Sequence, residues 1–155
     1  MLCDSWGKRG ILMKTELLIK HLCSDMETQL IKITEEVKKA VSNSSIENGV
    51  VFIICSHTTC GITINESLEC VETDILDFLD TIVPVDSPYT HAHFLMSYGT
   101  TSGNSPGHLK QMIVGNNCVL PIKNRKLVLG HAQDIYFAEF DGIKNRKYFI
   151  QLLGE

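Results

Sequence analysis

The feature that most constrains the fold is the apolar run Val50-Val51-Phe52-Ile53-Ile54-Cys55. Five of its six residues are β-branched or aromatic, and turn-forming Asn48-Gly49 precedes it. A short apolar run of this kind, bounded by turn residues, is typical of a buried strand. The fold must therefore contain a sheet with at least one strand in the core.

Further strands are predicted on both sides of this run. Residues 11–20 mix apolar and polar side chains in an extended pattern, and Ile62-Thr63-Ile64 continues the extended pattern after Gly61. Turn-forming Asn124 and Asp141-Gly142 separate the last segments. A C-terminal antiparallel meander is predicted from four strands, over 118–122, 126–129, 135–140 and 148–153.

Three helices are predicted. Ser24-Asp25-Met26-Glu27 has the form of a capping box, so the first helix is expected to begin there. Apolar residues follow at helical spacing: Leu30, Ile33, Val37 and Val41. A second helix is expected over 68–82, ended by Pro84, and a short third one between Ser105-Pro106 and Gly115. The long segment between the last two, 85–104, is predicted to be a functional loop.

Length and composition indicate one soluble domain over 1–155, with 1–14 as a flexible N-terminal extension. Fourteen Lys and Arg against eighteen Asp and Glu give a net charge of −4, which argues against nucleic acid as a partner. The uncharged stretch 48–65 contains hydroxyls and an imidazole and is no membrane span. No secretory signal opens the chain, so a cytoplasmic location with reduced cysteines and no membrane partner is expected.

The six histidines are the first candidates for chemistry, because imidazole is both a metal ligand and a group that titrates near neutral pH. His57 follows the buried strand, where it is as well explained by a hydrogen bond to a neighbouring hydroxyl as by a site. His91 and His93 would share one face of an extended segment and could chelate a metal, although two exposed loop histidines are the simpler interpretation. His108 opens the third helix, where anions are favoured.

Other residues have weaker signals. Asn65-Glu66 could cap the second helix or project into a site, and Cys60 has no neighbour in the sequence that would activate its thiol. The sequence Ile-Lys-Asn-Arg-Lys occurs twice, at 122–126 and 143–147. Two turns of similar composition explain this repetition, and both turns would carry local positive charge.

Taken in order, several motifs resemble those of the YjbQ-like family, also called the secondary thiamine-phosphate synthase enzyme family. The resemblance covers the chain from about Thr15 onward. The motifs are His57-Thr58-Thr59-Cys60-Gly61-Ile62-Thr63-Ile64-Asn65-Glu66, Tyr89-Thr90-His91, Ser105-Pro106-Gly107-His108-Leu109, Val119-Leu120-Pro121-Ile122, Leu129-Gly130-His131-Ala132-Gln133-Asp134-Ile135, and Glu139-Phe140-Asp141-Gly142 with Arg146.

The resemblance implies an α+β fold, a jelly-roll-like antiparallel β-sandwich with two longer helices and one short helix, assembled as a homotrimer with clefts near subunit boundaries. It also implies a polar site for a metal or a phosphate. The matching residues are His57, Asn65, Glu66, His91, His108, Gln133 and Arg146. Two departures affect the substrate: His131-Ala132 replaces Thr-Trp before the matched glutamine, and Ile143-Lys144 replaces Pro-Arg after Asp141-Gly142.

The leading hypothesis is an enzyme acting on phosphorylated metabolites, resembling a synthase that joins a pyrimidine pyrophosphate to a thiazole phosphate. The expected catalytic residues are His57, Asn65, Glu66 and Gln133. The expected phosphate-binding residues are His108, Lys144 and Arg146. The expected ligands of a divalent Zn or Mg ion are His57, His91 and His108. The alternatives are a non-catalytic trimer that binds a metal or phosphate ligand and a metal-dependent phosphate hydrolase. For Arg146, an ion pair with Glu139 is the alternative to phosphate binding.

Overall fold

The structure is a computed structural model, and it describes residues 12–93 and 103–155, without the side chains of Ala92 and His93. Its elements, in chain order, are β1 (Lys14–Cys23), β2 (Gln29–Lys32), α1 (Thr34–Asn43), β3 (Gly49–Cys55), β4 (Cys60–Glu66), α2 (Glu69–Ile82), α3 (Thr90–His93), α4 (Ser105–Val114), β5 (Asn117–Lys123), β6 (Lys126–Leu127), β7 (Gln133–Glu139) and β8 (Asn145–Gly154). The predicted extension 1–14 lies mostly outside the described residues, and Lys14 already belongs to β1.

The described strands form two antiparallel sheets. Sheet A has the order β1-β8-β3-β5-β6, and sheet B has the order β2-β7-β4. The two terminal strands pair over their whole length, from Lys14 opposite Gly154 to Cys23 opposite Asn145. The expected α+β class with an antiparallel sandwich is confirmed.

The main core lies between the two sheets. The apolar run 50–55 lies in β3. Its alternate residues Val51 and Ile53 are fully buried against β8 and sheet B. Phe137 of β7 meets them from the other side, and Val37 and Val41 of α1 close the core. The prediction of a buried strand at 50–55 is confirmed.

Sheet B is covered on both faces, so it is the middle layer of the molecule. Alternate residues of β7 point to opposite sides: Phe137 enters the main core, and Ala138 packs with Leu79 of α2 in a second core. The hydroxyl of Tyr136 donates a hydrogen bond of 2.6 Å to Glu72 Oε1 on α2. Burial and this bond raise the pKa of Tyr136 to about 12. A buried, neutral phenol thus fixes α2 to sheet B.

The prediction that a helix begins at Ser24 is wrong. Residues 29–32 form β2, paired with β7, and the first helix begins at Thr34. Leu30 packs in the second core and Ile31 in the main core, because a strand of the middle layer buries both of its faces. Apolar residues of this strand, followed by those of a short helix, have a spacing that looks like the spacing in one longer amphipathic helix.

The predicted C-terminal meander is also wrong, although its four strands are present. Only β5 and β6 form a hairpin; β7 crosses to sheet B, and β8 inserts between β1 and β3. The physical reason is the uninterrupted burial of residues 135–140, which suits the middle strand of a sheet that is covered on both faces. The helix that was predicted to be short, α4, has ten residues, as many as α1. A further helical turn, α3, lies inside the predicted loop. No helix among residues 12–93 and 103–155 is long and apolar enough to cross a membrane.

The position of β7 in the middle layer predicts that alanine substitutions at a buried and at an exposed phenylalanine have very different effects on the free energy of unfolding. Phe137→Ala removes a ring that is 0% exposed and should lower the free energy of unfolding by about 3–5 kcal/mol. Phe78→Ala is the matched control, because that ring is 59% exposed, and it should change stability by about 0.5 kcal/mol or less. Urea denaturation measures both, and similar losses in the two variants would contradict this layer arrangement.

Candidate functional site

A buried ion pair lies where β7 ends and β8 begins. Glu139 is 0% exposed and Arg146 is 8% exposed. Arg146 Nε donates to Glu139 Oε2 at 2.6 Å, and Nη2 donates to Glu139 Oε1 at 2.6 Å. This two-bond geometry is the strongest form of carboxylate–guanidinium contact. Hydrogen bonding to Glu139 raises the pKa of Arg146 further, so the guanidinium stays charged.

The pair also fixes the backbone around it. Glu139 Oε1 accepts the N–H groups of Phe140 at 3.1 Å and Asp141 at 2.9 Å. Arg146 Nη2 donates to Thr59 Oγ1 at 3.2 Å and to the carbonyl oxygen of Asp141 at 3.3 Å. The structure therefore contains the ion pair that was the alternative for Arg146. Its guanidinium is held inside the protein, and the phosphate-binding role of Arg146 stays a prediction.

The loop after β7 carries a second charged contact. Asp141 Oδ2 lies 2.6 Å from Lys144 Nζ and accepts a bond of 2.7 Å from Asn104 Nδ2. Burial alone would raise the pKa of Asp141, but the bonds from Lys144 and Asn104 outweigh it and lower the pKa. Asp141 is therefore an ionised acceptor at neutral pH.

Ser24 has a different role from the predicted helix cap, because its buried hydroxyl anchors this loop. Ser24 Oγ accepts the N–H of Lys144 at 3.0 Å. At Gly142, a Cβ atom would lie 2.0 Å from the carbonyl oxygen of Met26. Only glycine fits this close approach, so the residues before β2 hold the loop in place.

The Asp141 contact continues to a histidine. Because Asn104 donates through Nδ2 to Asp141, its Oδ1 atom is the acceptor that faces His91 Nε2 at 3.1 Å. The hydrogen-bond network thus assigns a proton to Nε2 of His91. His91 and His108 are neighbours in an edge-to-face contact, with ring centroids 5.7 Å apart.

Two cavities open on the first turn of α4, joined by the His91–Asn104 bond. One, of about 330 Å³, has Asn104, Asp141, Lys144 and the buried Lys110 on its wall. The other, of about 370 Å³, has His91 and His108 on its wall. We call these two cavities the histidine cleft. Lys110 is held by an ion pair with Asp80 of α2, so the cleft contains both signs of charge.

His57 makes its contacts elsewhere. It lies between β3 and β4, and its Nε2 accepts the backbone N–H of Lys147 at 3.0 Å. Burial, and then the positive charge of Arg146, lowers the pKa of His57. The neutral ring therefore carries its proton on Nδ1, and Nε2 is already used by the fold.

The predicted catalytic residues Asn65, Glu66 and Gln133 lie together but not with the buried ion pair. In the β4–β7 register Glu66 faces Gln133, whereas Cys60 faces Glu139. Six residues of strand separate the two ends, a distance of about 20 Å. Gln133 Oε1 accepts the N–H of Gly130 at 2.8 Å, and exposed His131 lies in the same turn. The structure thus divides the expected site between two ends of sheet B.

Cys60 is an unreactive thiol in this arrangement. It is buried and donates to Glu139 Oε1 at 3.4 Å. Its hydrogen bond with Cys55, burial and the Glu139 carboxylate all raise the pKa of Cys60. The thiol stays protonated, which agrees with the sequence giving no argument for a cysteine nucleophile.

The predicted metal set of His57, His91 and His108 stays a prediction. Among the described residues, no three or more His, Cys, Asp or Glu side chains form a group that could hold a metal ion. The side chain of His93 lies outside the described residues. His91 and His108 are the two members of the set that the structure brings together.

Two residues that hold the candidate site together were not singled out from the sequence. Asn104 links His91 to Asp141, and Glu139 binds Arg146. Asn104 is the N-cap residue of α4, but its amide makes no cap bond. Glu139 was considered only as an alternative partner of Arg146, because a charged residue in a sequence gives no sign that its side chain will be buried.

Comparison with known proteins places this geometry in a family. A sequence model described as "UPF0047 protein YjbQ-like" matches residues 20–155. A UPF0047 protein of Methanocaldococcus jannaschii is 34% identical over 146 residues, which are 93% of this chain and 99% of that protein. UPF0047 protein YugU of Bacillus subtilis is 36% identical over 127 residues, 81% of this chain and 90% of YugU.

Solved structures agree with these matches. An uncharacterized conserved protein of the yjbq/upf0047 family from Clostridium acetobutylicum is 40% identical, with a TM-score of 0.79 over 87% of this chain and 98% of that chain. A YbjQ-like protein of unknown function from Sulfolobus solfataricus is 28% identical, with a TM-score of 0.86 over 93% and 100% of the two chains. The names of these four proteins give a family and no reaction. Sequence and fold together show that the chain belongs to the UPF0047 protein YjbQ-like family.

Proposed function

We propose that the histidine cleft binds and transforms phosphorylated small molecules, in the manner of a thiamine-phosphate synthase. The reaction joins a pyrimidine pyrophosphate to a thiazole phosphate and releases pyrophosphate. The observation that carries the proposal is a chain of contacts from His91 through Asn104 and Asp141 to Lys144, which links the cavity lined by His91 and His108 to the cavity lined by Lys144. Imidazole and ammonium groups are the donors that such an anionic substrate needs.

The cleft supplies donors for phosphate oxygens. Lys144 Nζ is half-exposed and has Asp141 as its partner, so a phosphate group can share or replace that contact. The first turn of α4 lies on the wall of both cavities, and Pro106 occupies its start. Unpaired N–H groups of a helix start favour an anion there. Together these features support binding of the pyrophosphate part.

The histidines supply proton transfer. Breaking the carbon–oxygen bond to pyrophosphate places negative charge on the leaving oxygen, and a protonated imidazole at that oxygen lowers the barrier. His108 is the better candidate for this role, because the Nε2 atom of His91 is already bonded to Asn104. In this proposal His91 orients the pair, and Asp141 holds Asn104.

A divalent metal, Zn or Mg, belongs to the proposal as a cofactor. With a metal bound, His91 and His108 would be neutral and hold it as two of its ligands, since imidazole is a common zinc ligand, and the metal would take the place of the protonated His108 at the leaving oxygen. A bound metal would stabilise charge on the pyrophosphate leaving group. The described residues offer no third protein ligand beside this pair, so substrate oxygens or water would complete the coordination.

A non-catalytic binding protein is the second candidate, and a specific observation favours it. The strongest candidates for chemistry outside the cleft are used by the fold: Arg146 binds Glu139, His57 accepts a backbone N–H, and the Cys60 thiol stays protonated. A cleft with so few free reactive groups would still bind a phosphorylated ligand. A metal-dependent phosphate hydrolase remains a third proposal, differing from the first in using water as the acceptor.

The test of the synthase proposal is an assay with both substrates and a divalent metal. Wild type should release pyrophosphate and form thiamine phosphate. His108→Gln should lower kcat by about 10²-fold or more, the usual share of an acid–base group. Lys144→Gln should weaken substrate binding by about 1.5–3 kcal/mol. The control is Lys32→Gln, which removes the same charge from a lysine paired with Asp134 on sheet B.

The outcomes separate the candidates. Tight binding without product supports the non-catalytic protein, and release of pyrophosphate or phosphate from the pyrimidine substrate without the thiazole substrate supports the hydrolase. Failure of wild type to bind either phosphorylated substrate would contradict the synthase proposal.

The proposal includes a homotrimer, and the outer face of sheet A supports self-association. Leu17 is 58% exposed and Ile19 is 55% exposed on β1. Ile19 faces Phe149 of β8, and Val119, which is also exposed, lies on β5, two strands beyond β8 in the same sheet. An apolar face of this extent is typical of an interface. We propose that the subunits meet there.

Static light scattering tests the assembly. Wild type should have about three times the chain mass of 17.3 kDa. Leu17→Glu with Ile19→Glu should give the monomer, because two buried carboxylates without partners oppose association. The pair Thr73→Glu and Thr81→Glu is the control, because both positions are exposed on α2, which packs against sheet B and not against the outer face of sheet A. A monomeric wild type, or a trimer that the first pair leaves intact, would contradict the proposed interface.

A further inference from the structure

A third cavity, of about 460 Å³, lies between α1 and the β5–β6 hairpin. Its charged lining residues are Lys38, Lys39, Arg125, Lys126 and Glu35. Four cations and one anion give a formal charge of +3 on a chain whose net charge is −4. This concentration of positive charge is therefore local, and it shares no lining residue with the histidine cleft.

The one carboxylate in the lining has a partner already. Glu35 Oε1 lies 2.8 Å from Lys38 Nζ, one helical turn away on α1. Both side chains of this pair are exposed, so the contact is weak and easily rearranged. Lys39, Arg125 and Lys126 remain to provide positive charge to a ligand.

The hairpin carries its charges at a cost in stability. Asn124 and Arg125 form its two-residue turn, with φ values of 52° and 58°. Turns of this type favour Asn-Gly, so arginine occupies a position where glycine would be less strained. Lys123 lies directly opposite Lys126 across the two strands, where like charges repel. The stability of the fold therefore does not explain why the β5–β6 hairpin has these charged residues.

The turn is nevertheless held in one position. The N–H of Arg125 donates to the carbonyl oxygen of Glu47 at 2.9 Å. The N–H of Asn124 donates to Asn48 Oδ1 at 3.2 Å. These bonds fix the backbone that carries Arg125 and Lys126 before any ligand arrives, and a fixed backbone lowers the entropy cost of binding.

We propose that this basic cavity binds a compact polyanion, a small molecule with two or more linked phosphate groups. The cavity concentrates charge in a concave volume, as a small multiply charged ligand requires. An extended nucleic acid would instead have to cross the acidic remainder of the surface. The site is separate from the proposed catalytic cleft, and its test does not depend on any activity.

Calorimetric titration with inorganic triphosphate tests the proposal. Wild type should bind it, and the variant Arg125→Gly with Lys126→Gln should bind at least tenfold more weakly. Glycine at 125 suits the turn and the second change relieves the Lys123 repulsion, so the variant should fold and melt no lower than wild type. Raising the salt from about 0.1 M to about 1 M should weaken binding, since the screening length falls from about 10 Å to about 3 Å.

Two single variants locate the binding. Lys32→Gln removes one positive charge at a lysine outside the cavity and should retain wild-type affinity. Lys144→Gln removes the lysine of the histidine cleft, so it should weaken any triphosphate binding there and leave the binding through Arg125 and Lys126 unchanged. Absence of triphosphate binding, or an equal loss in Lys32→Gln, would overturn the proposal. Loss in Lys144→Gln alone would assign the ligand to the histidine cleft instead. A single-stranded oligonucleotide that binds through Arg125 and Lys126 more tightly than triphosphate would overturn the choice of a compact ligand.

Discussion

The ion pair between Glu139 and Arg146 is the contact on which the candidate site depends. A carboxylate without exposure to water is tolerated only when its oxygens are fully bonded, and here Arg146, two backbone N–H groups and the Cys60 thiol provide those bonds. The same bonds fix the position of Asp141. From Asp141 the network passes through Asn104 to His91. A structural charge in the interior thus determines where a histidine of the candidate site lies.

The layer arrangement explains why the polar residues fall into separate groups. Sheet B lies between sheet A on one side and helices α2 and α4 on the other, so the middle parts of its strands are buried and polar groups gather at the strand ends. One end of the β4–β7 pair carries Glu139, and the other carries Glu66 opposite Gln133. A single chain therefore does not unite all the residues that the family resemblance implies for one site.

Much of the fold could be predicted from local patterns, and the failures have physical causes. The strand at β3 and the helix ended by Pro84 follow from apolar runs and breakers that act within a few residues. The false helix start at Ser24 and the false meander share another cause: β2 and β7 are buried on both faces, and tertiary pairing decides such cases. In the site, His91 and His108 were predicted together, whereas the Asn104 link depends on contacts far apart in sequence.

The most direct test of the central claim is the free energy of unfolding of Glu139→Gln compared with that of Glu139→Leu/Arg146→Met. The single change leaves a buried guanidinium without a counter-charge and should cost about 3–5 kcal/mol. The double change replaces both charges by apolar groups and should recover most of that loss. A cost of about 1 kcal/mol or less for Glu139→Gln, as for an exposed pair, would contradict the account.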